Sequence, residues 1–82
     1  MPLYFFHLRD GVDVLLDPDG CDLKDQEAVE ARTLRTARCL LSAEAMEGRL
    51  PLYMHIDVED ESGTVLHSLC FEDAIELILP DD

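Results

Sequence analysis

The stretch at residues 23–48 constrains the fold more than any other part of the chain, because it contains no proline and no glycine before its last residue. Asp25 can cap its first turn, since a carboxylate accepts hydrogen bonds from the free backbone N–H groups there. Gly48 can take the left-handed conformation that ends a helix, and Pro51 prevents continuation. The stretch therefore predicts one long helix. A lone helix of this length is marginal in water, so part of its surface must be buried.

Two apolar stripes follow the predicted helix at three- and four-residue spacing. We expect the stronger stripe to pack on the rest of the protein, because its mostly small residues suit close packing on a sheet. The weaker stripe is either a partly exposed flank or a contact with a second copy or a partner. The stronger stripe comprises Ala31, Leu34, Ala37 or Arg38, Leu41 and Ala45, and the weaker stripe comprises Val29, Thr33, Thr36, Leu40 and Ala43.

The segments before and after the helix have the two-residue alternation of strands. Asp10-Gly11 is a preferred pair for a two-residue hairpin turn and joins the first two predicted strands. A second hairpin follows the helix, and helical spacing returns near the C-terminus. The predicted strands cover residues 3–9, 12–16 and 52–59 and a last stretch ending near Cys70, and the predicted short helix covers residues 71–79.

These elements predict an α+β fold in the order β-β-α-β-β, with a short terminal helix. At 82 residues, the chain is expected to form a single domain over residues 1–82. Two hairpins can join into one mainly antiparallel sheet, with the long helix packed on one face.

The register of the second hairpin decides which residues occupy the sheet face away from the helix. We expect a three-residue loop with Gly63 in the left-handed position, which pairs Val58 with Leu66. His67 then lies opposite Asp57. A four-residue loop is the alternative, and it turns His67 to the core face. In the expected register, the face away from the helix carries Phe5, His7, Val12, Val14, Tyr53, His55, Val65, His67 and Leu69.

Such a face is too apolar to be left in water, which favours cover by another chain. A second copy related by a two-fold axis is the most economical cover. We therefore expect a non-enzymatic protein-interaction module that forms a homodimer or binds a protein partner. No paired nucleophile and base, no phosphate-binding glycine loop and no catalytic triad are present, so no catalytic residue is named.

The net charge of −13, from 19 acidic and 6 basic residues, argues against nucleic acid and against an anionic membrane surface as partners. No apolar run approaches the roughly 20 residues that span a bilayer, and no signal-peptide pattern begins the chain. The three cysteines are odd in number and widely spaced, which predicts no disulfide framework. We therefore expect a cytoplasmic protein.

Three histidines raise the alternative of a small metal- or ligand-binding protein. His7, His55 and His67 share one sheet face in the expected register, where Asp57 is placed to orient the His67 imidazole. No HxH, CxxC or HExxH spacing supports a metal site. The sequence favours interfacial histidines, and we expect no cofactor.

The motif YFFHLRDG at residues 4–11 is followed by an acidic Pro-Asp-Gly turn and an Ala-rich helix. This combination resembles a family of short, mostly alphaproteobacterial proteins that is known only as a domain of unknown function. The likeness continues through DVEDESG at residues 57–63 and FEDA at residues 71–74. The resemblance implies a small bacterial stand-alone protein, and it carries over no activity, cofactor or catalytic residue.

Overall fold

The long helix forms where the sequence predicts it, with the predicted caps. In the computed structural model, which describes residues 2–81, helix α1 spans Gln26–Met46. Asp25 Oδ1 accepts from the backbone N–H of Ala28 at 2.8 Å. Gly48 has a φ of 82°, and its N–H donates to the carbonyl of Ala45 at 3.0 Å. Both cap predictions are confirmed.

The strands form one antiparallel sheet, which confirms the predicted α+β fold. The order across the sheet is β2-β1-β4-β5, and β3 also pairs with β1. β3 pairs with the beginning of β1 and β2 with its end, so two short strands share one long neighbour. The bounds are Leu3–Arg9 for β1, Val14–Leu15 for β2, Cys21–Asp22 for β3, His55–Glu59 for β4 and Val65–Cys70 for β5.

The core lies between α1 and one face of the sheet, which we call the inner face. α1 packs on this face against β4 and β5, and we call the opposite face the outer face. The inner face contributes alternate residues of β1 and β4, as a two-residue period requires. The buried apolar residues are Tyr4, Val29, Ala37, Leu41, Ile56, Val58, Phe71 and Ala74.

The first hairpin has a longer loop than the predicted two-residue turn. Arg9 pairs with Val14 and not with Val12. Asp10 Oδ1 accepts from the backbone N–H groups of Val12 and Asp13, so an aspartate side chain organises a four-residue loop. The shift of two residues keeps Val14 on the outer face, but Val12 lies in the loop at 94% exposure.

The second hairpin has the predicted loop and a different register. The loop closes with a backbone hydrogen bond between residues 60 and 64, and Gly63 has a φ of 87°. A β-bulge beside Val58 then places His67 opposite it, one residue beyond the predicted partner. Because successive strand residues point to opposite faces, this shift turns His67 and Leu69 to the inner face. The predicted outward placement of both residues is wrong.

The buried line of the helix combines residues of both predicted stripes: Ala37 and Leu41 of the stronger stripe are buried as predicted, together with Val29 and Thr33 of the weaker one. Ala31 and Ala45 are exposed, because the buried residues recur every four positions and so follow a line that does not include them. The hydroxyl of Thr33 donates to the carbonyl of Val29 at 2.7 Å, so burial leaves it satisfied. Val29 and Thr33 belong to the protein's own core and not to a contact with another molecule. The buried line consists of Val29, Thr33, Ala37 and Leu41.

The segments on either side of the second hairpin are less regular than predicted. β4 begins at His55, and Leu52 and Met54 pack against the core from a turn. The predicted C-terminal helix is a single 3-10 turn over Phe71–Ala74. The backbone N–H of Phe71 donates to the carbonyl of Met54 at 2.8 Å, which anchors that turn to the sheet. Beyond it, residues 75–81 form no regular structure, and we call them the C-terminal segment.

Candidate interaction surfaces

The centre of the outer face is a polar network around Asp57. This carboxylate lies in the middle strand β4 and accepts from Arg9 Nε on one neighbour and from Ser68 Oγ on the other. His55 Nε2 lies 3.8 Å from the same carboxylate. One carboxylate thus ties three strands together, and its charge is balanced by a guanidinium group.

The electrostatics of Asp57 show that its neighbours outweigh its burial. Partial burial alone raises the pKa of Asp57, because a charged carboxylate is disfavoured away from water. Hydrogen bonds from Ser68 and Arg9 and the charges of His55 and Arg9 act in the opposite direction, and the net pKa is lowered. Asp57 is therefore an ionised hydrogen-bond acceptor at neutral pH.

His7 links the outer face to the turn between β2 and β3. It is buried, and its Nδ1 accepts from the backbone N–H of Asp17 at 3.1 Å. Its Nε2 lies 3.7 Å from Glu59 Oε1, and its ring stacks on Phe5 with an interplanar angle of 14°. Both ring nitrogens therefore have polar neighbours within the chain, and the imidazole serves as a structural tether.

The turn at residues 17–20 is held by the Asp17 carboxylate. Its two oxygens accept from the backbone N–H groups of Phe6, Asp19 and Gly20. Burial raises the pKa of Asp17, but these hydrogen bonds and the nearby His7 outweigh it, so the pKa is lowered overall. Gly20 has a φ of 75°, and a Cβ there would lie 2.9 Å from the ring of Phe5. Only glycine fits this close approach.

The three histidines of the metal alternative do not converge. His7 and His55 lie on the outer face, and the bulge places His67 on the inner face. Within residues 2–81, no group of three or more histidine, cysteine, aspartate or glutamate side chains is arranged to hold a metal ion. The sequence suggested a shared face because it could not reveal the bulge.

The outer face is less apolar than the sequence pattern predicts. The cross-strand pairs place arginine, aspartate, glutamate and serine at its centre, between the predicted apolar residues. Val12 has left the face for the loop, and His67 and Leu69 have turned inward. Tyr53 is exposed in the turn before β4 and not on a strand. The predicted residues that remain on the outer face are Phe5, His7, Val14, His55 and Val65.

A concave apolar surface lies instead between β2 and the flank of α1. β2 is only two residues long, so the sheet edge ends before it covers the helix flank. The resulting space measures about 390 Å³ and opens to solvent, where Leu15 and Leu16 are 70% and 61% exposed. We call it the edge groove. Its lining residues are Phe6, Leu8, Leu15, Leu16, Asp17, Pro18, Thr36, Leu40 and Ile56.

The helix side of the edge groove carries positive charge. A second hollow of about 420 Å³ adjoins it and shares Thr36 and Leu40, and its other lining residues include Arg32 and Arg35. Arg32 Nη1 lies 3.4 Å from Cys21 Sγ. Neither arginine forms an ion pair with a carboxylate in the part of the chain that the structure describes. In a chain of charge −13, two such arginines form a distinctive rim.

The sequence predicts part of the helix side of the edge groove, since Thr36 and Leu40 belong to the weaker stripe, but the strand side was not predicted although one signal for it was present. Val14, Leu15 and Leu16 are three successive apolar residues, and a strand cannot turn all three to one face. Val14 lies on the outer face and Leu15 on the inner face, where it reaches past the sheet edge. Leu16 follows the strand beside the same opening.

The comparisons with known proteins identify a family and nothing closer. A family model described as a domain of unknown function, DUF6894, matches residues 3–72. A search of curated proteins found no match to the chain. A search of solved structures likewise found none. Across residues 2–81, no helix is both long enough and apolar enough to cross a membrane.

Proposed function

Because the chain belongs to the DUF6894 family, whose function is unknown, we propose a role from its surfaces: a non-enzymatic protein-contact module that forms a homodimer through the edge groove. Its expected setting is the bacterial cytoplasm, since the three cysteines are free and their spacing predicts no disulfide framework. The function then resides in what the dimer presents to other proteins.

The observation that supports this proposal is the exposure of Leu15 and Leu16 in a concave apolar site. Complete burial of one leucine side chain contributes about 1.5–3 kcal/mol relative to leaving it in water. A domain of this size buries only about 60–65% of the surface of its unfolded chain, so its stability margin is thin. Covering the groove with a second copy adds to the stability of a domain whose own margin is thin.

The polar network of the outer face supports the choice of the edge groove. Asp57 is already matched by Arg9 and Ser68, and desolvating such a network would add a cost without adding partners. The groove has a more apolar character: seven of its nine lining residues are aliphatic or aromatic, and its charged residue, Asp17, already accepts three backbone hydrogen bonds. Burying it removes apolar surface from water at little polar cost.

A non-enzymatic role is consistent with the structural hydrogen bonds that the titratable side chains already make. Asp17 and Asp57 have lowered pKa values because their hydrogen bonds favour the charged form, so neither is poised to exchange protons near neutral pH. His7 accepts a backbone hydrogen bond through Nδ1. These groups hold strands and turns in place.

Native mass measured by size-exclusion chromatography with light scattering tests the proposal. We expect untagged protein to be a dimer from micromolar to submillimolar concentration, and Leu16→Glu to be a folded monomer. Leu50→Glu is the matched control, because Leu50 is 52% exposed and lies outside the groove lining. A wild-type monomer throughout this range contradicts the proposal.

A further inference from the structure

We infer that the edge groove of one copy binds the C-terminal segment of a second copy, and that the exchange is reciprocal about a two-fold axis. This inference rests on the homodimer proposed above and names its contact. It joins two features that the single chain leaves exposed: an apolar groove with an arginine rim, and an apolar segment with acidic ends.

The C-terminal segment projects three large apolar side chains into solvent. Leu77, Ile78 and Leu79 are 68%, 84% and 79% exposed. The backbone is extended at Ile75, with φ −135° and ψ 161°. The radius of gyration is 13.9 Å, whereas roughly 12 Å is typical of a compact domain of this length. The exposed apolar side chains make the segment an arm that another surface can cover.

The shape of the segment suits the groove. In extended backbone, alternate side chains point the same way and lie about 6.6–6.8 Å apart along the chain. Leu77 and Leu79 thus form one apolar side, which fits between Leu16 on the sheet edge and Leu40 on the helix flank. Ile78 points away from the groove floor and covers its mouth.

Charge complementarity favours the acidic C-terminal segment as the occupant of the groove. Glu76 precedes the apolar trio, and Asp81 follows it after Pro80. Arg32 and Arg35 line the hollow adjoining the groove, so carboxylates flanking a bound segment meet guanidinium groups there. Most of the molecule is acidic, and this rim is one of the few places that attracts such a segment.

The segment of the same copy starts on the wrong side of the helix. Arg38 Nε donates to the carbonyl of Ala74 at 2.7 Å, which fixes the start of the segment beside Arg38. Thr36 and Leu40, which line the groove, are each two positions from Arg38, a rotation of about 200° around a helix. Reaching its own groove requires the segment to wrap around α1. A second copy delivers it directly.

Deletion of residues 76–82 is the first test, with native mass and the dimer dissociation constant as readouts. We expect the deletion to weaken the dimer by about 100-fold or more, because each chain loses the arm that it donates. Circular dichroism should be unchanged, since residues 76–81 are exposed and form no regular structure. A dimer of wild-type affinity after the deletion overturns this inference and leaves the proposed homodimer standing.

A mixing experiment tests the exchange itself. The deletion variant keeps its groove, and Leu16→Glu keeps its arm but has a charged groove. Each alone is expected to be a monomer, and the two together should form a heterodimer held by one arm. A peptide of residues 75–82 should likewise bind the deletion variant. Failure of both the heterodimer and the peptide contradicts the inference, and so does a wild-type monomer that binds the peptide.

Charge reversal provides the specific control. Arg32→Glu with Arg35→Glu should weaken the dimer by about tenfold or more. Adding Glu76→Arg and Asp81→Arg to that variant should restore the affinity, which a merely structural role of the arginines does not predict. Arg49→Glu is the matched control, because Arg49 already pairs with Glu44 and lies away from the groove. No rescue by the swapped arm contradicts the proposed pairing.

Discussion

The outer face and the edge groove lie on two sides of the same strands, yet the outer face exposes paired polar groups and the edge groove exposes apolar side chains. On the outer face, Asp57, Arg9 and Ser68 satisfy one another across three strands. In the edge groove, Leu15 and Leu16 line a hollow that no other segment within residues 2–81 covers. β1 contributes to both surfaces, because Arg9 points outward and Leu8 inward.

The difference shows that one part of a small acidic domain can stabilise the fold while another part binds a partner. The polar network stabilises the sheet without needing a partner, since its charges are paired and partly screened from water. The groove contributes little to the isolated chain and stabilises an assembly when it is covered. Damage to the network should therefore lower the stability of the fold, whereas damage to the groove should lower the affinity of the dimer.

The largest expected effect is the loss of self-association in Leu16→Glu. A buried carboxylate in an apolar contact is strongly disfavoured, so we expect the dissociation constant to rise by about 100-fold or more. The thermal midpoint measured on dilute, monomeric protein should change little, because Leu16 is already 61% exposed. An equal loss of monomer stability would show that the groove is part of the core.

Gly20→Ala comes next, and it tests the turn that joins the two surfaces. The new methyl group meets the Phe5 ring at 2.9 Å, in addition to the strain of a positive φ. We expect a loss of about 2–3 kcal/mol in the free energy of unfolding. Gly11→Ala is the matched control, since its φ of 97° is strained but no atom lies within 4 Å of the added Cβ.

The Gly11→Ala variant should lose only about 1 kcal/mol in urea-induced unfolding. Equal losses for the two variants would mean that the Phe5 ring moves aside without cost, and that the turn at residues 17–20 is less tightly fitted than described. A larger loss for Gly20→Ala supports the tight approach.

Asp57→Ala should cost about 1–2 kcal/mol of unfolding free energy, because it removes two charge-assisted hydrogen bonds. The effect is limited because the Arg9 side chain is 37% exposed and regains water when its partner is lost. Glu61→Ala, on an exposed turn, is the control and should be neutral. The dimer dissociation constant of Asp57→Ala should match that of the wild type. A weakened dimer would place the contact on the outer face.

The smallest expected effect is on the acid limb of the stability curve. The folded-state pKa values of Asp17 and Asp57 lie below the ordinary value of 3.8, so both groups stabilise the fold above that pH. This stabilisation is lost as the pH falls through the folded-state values. Asp57→Ala lacks the contribution of Asp57 to this stabilisation. It should therefore lose less stability than the wild type between about pH 5 and pH 2. A steeper acid loss in the variant would contradict this assignment.

Local chemistry allowed the sequence to predict the helix caps and the second loop. Asp25 and Gly48 act within one turn of themselves, and Gly63 is needed at a single left-handed position. Such features depend on neighbours in the sequence, which are visible without the structure. The α+β class followed because two regions of strand alternation surround one long helical stretch.

The bulge beside Val58 marks the limit of that reasoning. It depends on how β5 fits against β4, and one inserted residue changed the face of His67 and Leu69. Which residues of α1 are buried could only partly be predicted, for a related reason. Spacing cannot show that Thr33 satisfies its hydroxyl on Val29 and so becomes a core residue. The predicted terminal helix stops after one 3-10 turn: Phe71 and Ala74 pack in the core, but Leu77, Ile78 and Leu79 are exposed, so no packing supports further turns.

The strand side of the edge groove was not predicted because it exists only where β2 is too short to cover the helix flank. Leu15 and Leu16 look like ordinary strand residues until β2 is seen to end after two residues. The pairing of Arg9 with Asp57 is likewise a contact across 48 positions of sequence. Neither charge pattern nor alternation specifies which strands become neighbours.

Hydroxyl-radical footprinting across the dimer–monomer transition tests the central comparison most directly. We expect labelling of Leu15 and Leu16 to fall as protein concentration rises, because the second copy covers the edge groove. Tyr53, which is 67% exposed, should be labelled equally in both states. Protection of Phe5 with unchanged labelling of the two leucines would contradict the proposed contact and move it to the outer face.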